Sequence, residues 1–405
     1  MNTADALPVA AATALDTASL MAAAAAIVPF LRETARDTEK ARRVSDEAIY
    51  RLREAGLLSI MAPRRFGGLE CDVPTMARLT AELARGCGST AWVYGVTVSQ
   101  CWVVSAFAEK VQKEIWGERP DVVISGTYGI NPSAQQVLRV DGGYRLSGRW
   151  GFASGCDHAS WHLAQFLAPA RGESPPASHF ALVPRQDFAI EDDWYTMGLA
   201  GTGSKTVILN DVFVPEYRTL SYDAMNSGDT PGAALHSHNP IYSMPLMAVT
   251  PVGLAATLSG MARGALESLL ESARAGTRDS ARGKFAEHVL AHAWIGEALA
   301  DIEAAELVMI DGLEAMTDIA NSGRRLSVDE RVKLRRNYAF AVRQSAQAVD
   351  RILKCGGASG IGLQHVAQRA WRDVNSAARH IGFNWEQYTV QSGRNALGLE
   401  PMGLY

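Results

Sequence analysis

The chain has 405 residues, 47% hydrophobic and 20% charged, a globular composition too long for one ordinary compact domain. A formal net charge of −4 without a basic stripe argues against nucleic acid as a partner, and no run of about 18 uncharged apolar residues suggests a membrane span. The five cysteines, Cys71, Cys87, Cys101, Cys156 and Cys355, are odd in number and lack a C-x-x-C pair, as expected of buried thiols in a reducing cytoplasm.

Met21 to Leu31 reads MAAAAAIVPFL, but Asp5 and Asp16 precede it and no positive charge does, so it belongs to a helix rather than a signal peptide. Ala18 to Gly56 reads as helix, loop, helix, the second opened by Ser45-Asp46-Glu47 and closed on Gly56. PRRFGG at 63–68 is a turn cluster, Pro74 to Arg85 returns to helical spacing, and Ser89 to Trp116 continues as apolar helix. These segments predict an N-terminal helical domain over residues 1–118.

At Asp121 the period changes to two. VVISGTYG, QQVLRV and YRLSGRWGF alternate around the Asp141-Gly142-Gly143 turn, a hairpin signal, and HLAQFLA, HFALVP and KTVILNDVFVP continue it to Pro215. A central β domain over 119–235 follows, with a loose loop around Ser221 to Asn239. Helical spacing resumes over Leu254 to Ala275, Phe285 to Ser322, Val328 to Leu353 and Val366 to Ile381, the arithmetic of a four-helix bundle within 236–405. The fold class is α+β, mostly α.

Helical unit, β-barrel or sandwich, and bundle in that order carry the words AGLLSIMAPRRFGG, SGRWGFASG, NDVFVP, CGGASG and RAWRDV. Architecture and words together resemble the acyl-CoA dehydrogenase superfamily over essentially the whole chain. Its dehydrogenases need a glutamate to remove a substrate proton, in many members just past the arginine-aspartate pair of the last bundle helix. Counting on from Arg372 places Ile381 there, beside His380, and isoleucine cannot take a proton. Some members carry the base elsewhere, so an acyl-CoA dehydrogenase stays open as the alternative.

SGRW-x-FASG, His158-x-x-Trp161, Gly198-Leu199 with Gly201-Thr202-Gly203-Ser204, and His380 resemble instead the two-component flavin monooxygenases, such as 4-hydroxyphenylacetate 3-monooxygenase. The resemblance implies an oxygenase component that uses reduced FMN or FAD and O2, through a C4a-(hydro)peroxyflavin, to hydroxylate a phenol or an indole-like heteroaromatic. It also implies a homotetramer and a separate NAD(P)H:flavin reductase; the lack of a G-x-G-x-x-G fingerprint after a strand is consistent with reduction elsewhere.

On that resemblance His380 and Ser154 are the catalytic candidates. His380 would deprotonate or polarise the substrate hydroxyl, or stabilise the peroxide, and Ser154 would donate to the flavin N5/O4 edge. Trp150, Phe152, Thr202 and Ser204 would also contact the flavin, and Arg274, Gly356 and Gly357 resemble phosphate contacts that often come from a neighbouring subunit. Gln100, Trp194 and Tyr128 are the candidate substrate contacts. Gln100 stands where phenol hydroxylases of this group carry a histidine; glutamine can hydrogen-bond but cannot accept a proton, which raises heteroaromatics and N- or S-oxidation as alternatives. His158-x-x-x-His162 and His236-x-His238 lack convincing metal-ligand spacing.

Overall fold

The computed structural model describes residues 16–170, 172, 174–277, 283–403 and 405. Five helices come first: α1 (Thr17–Ala41), α2 (Asp46–Glu54), α3 (Val73–Ala84), α4 (Gly88–Ser105) and α5 (Glu109–Trp116). The side chains of Asp16, Ser45 and Asp72 cap the first three by accepting a backbone N–H in the first turn. The run from Ser89 to Trp116 is therefore two helices, not one. Helix α4 is buried on nearly every side, whereas Glu109, Lys110 and Lys113 cannot follow it into the core, so the chain turns outward before α5.

Eight strands follow: β1 (Ile124–Thr127), β2 (Gln135–Val140), β3 (Gly143–Ala153), β4 (Trp161–Ala168), β5 (Ala177–Pro184), β6 (Ala189–Glu191), β7 (Lys205–Pro215) and β8 (Thr219–Ser221). They form two sheets, ordered β1-β4-β5-β8 and β2-β3-β7-β6. Among the described residues, only β1 and β4 pair in parallel. Asp141-Gly142 makes the two-residue turn between Val140 and Gly143, with Gly142 at φ +74° supplying the left-handed backbone that turn requires. Inward residues of both sheets, including Tyr144, Leu146, Trp150, Phe166, Val183 and Val207, form a core of their own.

The stretch expected as a loose loop holds two short helices, α6 (Tyr222–Ser227) and α7 (Pro231–Leu235), capped by Ser221 and Thr230, and His236 after them is buried. Serine and threonine ahead of short apolar pieces are cap signals that the Gly and Asn content masked. Then come α8 (Leu246–Val249), α9 (Val252–Arg274), α10 (Val289–Asn321), α11 (Val328–Gly356) and α12 (Val366–Ala377). Helices α9 to α12 are the four bundle helices. The fourth stops at Ala377 rather than Ile381, and a further helix, α13 (Trp385–Ala396), packs against α11. His380 therefore lies beyond the bundle helix, at the start of a turn over Ile381–Phe383.

Two described stretches, Thr17–Ala41 and Leu246–Arg274, are long and apolar enough to cross a membrane by length and composition. The second is 83% buried inside the fold, and the first lays Leu20, Ile27 and Leu31 into the main core.

Candidate active site

Strand β3 ends in a bulge between Trp150 and Ala153, which re-aims the side chains around it. Phe152 sits there at φ +60°, a conformation that costs a bulky residue on the order of 1–3 kcal/mol. Its ring is 76% exposed and meets Trp194 edge-on at 5.8 Å between centroids. Tyr195 and Met197, next along the chain, are exposed as well. The fold gains nothing from an aromatic ring held in strain and in water; a flat apolar ligand does.

Beside this surface Ser154 is buried in a chain of hydrogen bonds. Trp92 Nε1 on α4 donates to Ser154 Oγ at 3.1 Å, Ser154 and Ser204 hydroxyls lie 2.7 Å apart, and Ser204 and Thr202 hydroxyls also lie 2.7 Å apart. Thr202 Oγ1 then donates to the Leu199 carbonyl at 2.8 Å. A carbonyl only accepts, so the single Thr202 proton is committed to it, Ser204 must donate to Thr202, and Ser154 must donate to Ser204. Ser154 has thus spent its proton inward and presents only a lone pair outward. That reverses the donor role the resemblance implied.

A second set of side chains closes around a space beside α4. Trp92 meets the His380 ring edge-on at 6.0 Å, and His380 meets Phe383 at 5.5 Å. Arg335, buried on α11, donates to the Gly382 carbonyl at 3.0 Å and to the Tyr388 hydroxyl, and its charge reaches Tyr222. Tyr222 meets Phe180 at a tilt at 6.3 Å, Phe180 meets Tyr128 edge-on at 5.3 Å, and the Tyr128 hydroxyl donates to Gln100 Oε1 at 3.2 Å. Gln100 returns the ring to α4, two turns and about 12 Å from Trp92. Tyr128 and His380 both keep open surface, yet burial pushes the tyrosine well above its usual range and the histidine down to about 4. Side chains that are accessible and also deep are candidates to line a cavity. Tyr222 Oη and Arg335 Nε are buried without a hydrogen-bond partner, which suits a space built for a polar ligand.

His380 is fixed in this ring as a donor. The Gly382 backbone N–H donates to its Nδ1 at 3.1 Å, so the neutral ring carries its proton on Nε2. Burial first and the Arg335 charge second hold it neutral. A neutral imidazole with Nδ1 occupied and Nε2 protonated polarises a hydroxyl and does not accept its proton. Ile381 beside it is exposed and offers no carboxylate.

Other candidates lie elsewhere. Trp150 points into the sandwich core, 1% exposed, with its Nε1 donating to the Gln165 carbonyl at 2.8 Å; regular alternation would put it on the same face as Phe152, and the bulge after Trp150 is what turns the two apart. Gly95 of α4 packs against Gly253 at the start of α9, so Arg274, 21 residues on, lies roughly 30 Å further along that helix. Gly356 and Gly357 end α11, with nothing within 4 Å of a Cβ built at either. No hydrogen bond links these three to Ser154 among the described residues. His162 bonds Ser125 Oγ at 2.9 Å, His236 bonds Gln112, and His158 bonds the Val44 carbonyl. No group of three or more metal-ligating side chains is found among the described residues.

Sequence reasoning missed Trp92, Arg335, Tyr222 and Asp373. Arg372 and Asp373 stood out only as landmarks. Asp373 Oδ1 accepts the Leu199 N–H at 2.6 Å, and Arg372 Nη1 donates to the Met197 carbonyl at 2.6 Å. The signal was the adjacent charged pair on the otherwise apolar side of a helix.

This order of helices, strands and bundle matches two family descriptions: acyl-CoA dehydrogenase, N-terminal domain, over residues 17–119, and acyl-CoA dehydrogenase, C-terminal domain, over 252–385. The chain belongs to the acyl-CoA dehydrogenase family. Within it, the chain falls among the flavin-dependent monooxygenases, as an oxygenase component. It is 38% identical to the FADH(2)-dependent resorcinol hydroxylase, oxygenase component, of Rhizobium sp. (strain MTP-10005), covering 95% of this chain and 96% of that protein. The crystal structure of the HsaA monooxygenase from M. tuberculosis superposes with a TM-score of 0.88 at 34% identity, over 96% of this chain and 99% of that one. XiaF from Streptomyces sp., in complex with FADH2 and glycerol, gives 0.88 at 28% identity over 96% and 97%.

Proposed function

We propose that this oxygenase component hydroxylates a small phenol, with the ring of the substrate in the cavity between Gln100, Tyr128 and His380. Reduced flavin, when bound, supplies the activation of dioxygen. The donor set fits that group: Phe152 and Trp194 offer a flat aromatic surface, and Ser154 offers a lone pair to an N5–H, which a reduced flavin carries and an oxidised one lacks. His380 donates from Nε2, and the Gln100 carboxamide with the Tyr128 hydroxyl fixes the far side of the substrate. Neither Gln100 nor His380 takes a proton, so the cavity polarises the phenol hydroxyl rather than deprotonating it.

The observation that carries this reading is the one-way hydroxyl chain ending in Ser154. The similarity to a resorcinol hydroxylase supports a phenol over an indole as substrate. A separate flavin reductase and a cytoplasmic location fit it. A homotetramer in which a neighbouring subunit brings its Arg274 and Gly356-Gly357 ends to this site accounts for their lack of a bond to Ser154 within one chain.

The test is coupling: product formed per reduced flavin oxidised, with hydrogen peroxide measured alongside. Ser154→Ala keeps the fold and shifts oxidation from product to hydrogen peroxide by about tenfold or more. Unchanged coupling in Ser154→Ala would remove the serine from the site.

A further inference from the structure

The Ser154 chain begins at the Leu199 carbonyl, and what holds Leu199 is on another element altogether. Leu199 has φ +52°, a left-handed backbone that a leucine does not adopt unaided. Helix α12 clamps the segment on both sides: Arg372 Nη1 takes the Met197 carbonyl and Asp373 Oδ1 takes the Leu199 N–H. Between them Gly198 lies so close that a Cβ there would sit 2.2 Å from the Arg372 carbonyl oxygen. The Leu199 carbonyl held in this way also accepts Trp194 Nε1 at 3.1 Å, so one peptide orders both the hydroxyl chain and the indole beside Phe152. Three residues past its C-terminus, the same helix leads into His380.

We propose that Asp373 is a positioning residue for the oxygenation: by holding the Leu199 N–H it fixes the carbonyl that gives the Thr202, Ser204 and Ser154 hydroxyls their single direction. If Leu199 relaxes, its carbonyl turns away, Thr202 is released, and Ser154 is free to turn its proton outward. The flavin-facing lone pair is then lost although no residue in contact with the flavin has changed. The inference rests on Ser154 standing at the flavin, and it adds the residue that makes Ser154 an acceptor.

The clamp is also exposed to protons. Asp373 is buried, and burial pushes its carboxyl up to about 6; the Leu199 N–H and the Arg369 and Arg372 charges on its own helix oppose that, while Glu39 on α1 adds to it. Cys87, ahead of α4, faces the same group. A cleft of about 30 Å³ lined by Glu39, Cys87, Arg369 and Asp373 gives water a place beside the carboxylate. Below pH about 6 the carboxyl becomes neutral, and a neutral acceptor holds an N–H less tightly than a charged one.

The experiment measures coupling between pH 5.5 and 8 in wild type, Asp373→Asn, Asp373→Ala and Ser154→Ala, with thermal melting and reduced-flavin affinity on each. Asp373→Ala is expected to lower coupling about tenfold at pH 7.5 while binding reduced flavin within a few-fold of wild type. Wild-type coupling is expected to fall as pH drops through 6, and Asp373→Asn, which keeps an acceptor but cannot titrate, to give the same coupling at both ends of the range. Asp373→Ala coupled like wild type, while Ser154→Ala is uncoupled, overturns the role of Asp373 and leaves the site intact. A fall below pH 6 that persists in Asp373→Asn overturns the pH response. Full coupling in Ser154→Ala would instead sink the reading of the site itself.

Discussion

Tyr128 donates to Gln100 across the cavity, hydroxyl to carboxamide oxygen at 3.2 Å, and the bare backbone of Gly126 leaves the carboxamide its room. A Cβ at Gly126 would lie 2.8 Å from the Gln100 carboxamide carbon and nitrogen. These atoms are the far end of a flexible side chain, so Gly126→Ala displaces the amide rather than the helix. The expected outcome is a KM for the aromatic substrate raised about tenfold, the loss of one well-made polar contact, with the melting temperature nearly unchanged. Steady-state kinetics with reduced flavin checks it; an unaltered KM would take Gln100 off the substrate.

How much of this could be read from residues alone follows physical lines. Periodicity found the six longer strands and the four bundle helices, because one buried face repeats at 2 or 3.6 residues, and missed the three-residue strands β6 and β8. It ran α4 into α5, since an apolar helix and its amphipathic successor look continuous until burial separates them. It ran α12 on to Ile381, because Arg379, His380 and Ile381 satisfy helical spacing while their backbone turns away. Local words named Ser154, Thr202 and Ser204, which the structure joins in one hydroxyl chain, since they share one turn and one strand end. They placed Trp150 wrongly, because SGRWGFASG does not show its bulge. Trp92, Arg335 and Asp373 were invisible for a different reason: each acts through a contact more than forty residues away in sequence, and no local pattern marks such a partner.

Phe152 should trade stability against function. Its left-handed backbone is strained and its ring is exposed, so replacing it by glycine relieves the strain and buries less of nothing that the fold needs. Phe152→Gly is expected to melt at or above the wild-type temperature and to bind reduced flavin about tenfold more weakly. A clear drop in melting temperature with undiminished flavin binding would assign the ring to the fold instead.

His380, with Nδ1 accepting from Gly382, has only an Nε2–H to offer, and its replacements separate donation from base catalysis. Glutamine can still donate near Nε2; phenylalanine cannot. His380→Gln is expected to retain a measurable part of wild-type coupling, while His380→Phe diverts oxidation to hydrogen peroxide by about tenfold or more. Equal loss in both, with product restored by added imidazole, would point to proton acceptance after all.

Acid stability should follow the buried histidines. Burial lowers His162 to about 3, and burial lowers His236 and His380 to about 4, each from an ordinary value near 6.5. A histidine whose pKa is depressed on folding contributes stability that is fully present above its unfolded value and is lost as pH falls through the folded one. Stability should therefore decline from pH 6.5 toward 4, with each such histidine adding a slope of about 1.4 kcal/mol per pH unit. His162 gives the cleanest case, because it is fully buried in β4, bonds only Ser125 through Nδ1, and has no partner at Nε2. His162→Gln, which cannot charge, should flatten the decline by close to one proton. Urea midpoints at half-unit steps from pH 7 to 4.5 measure this, and parallel curves for wild type and variant would show that His162 is not what acid attacks.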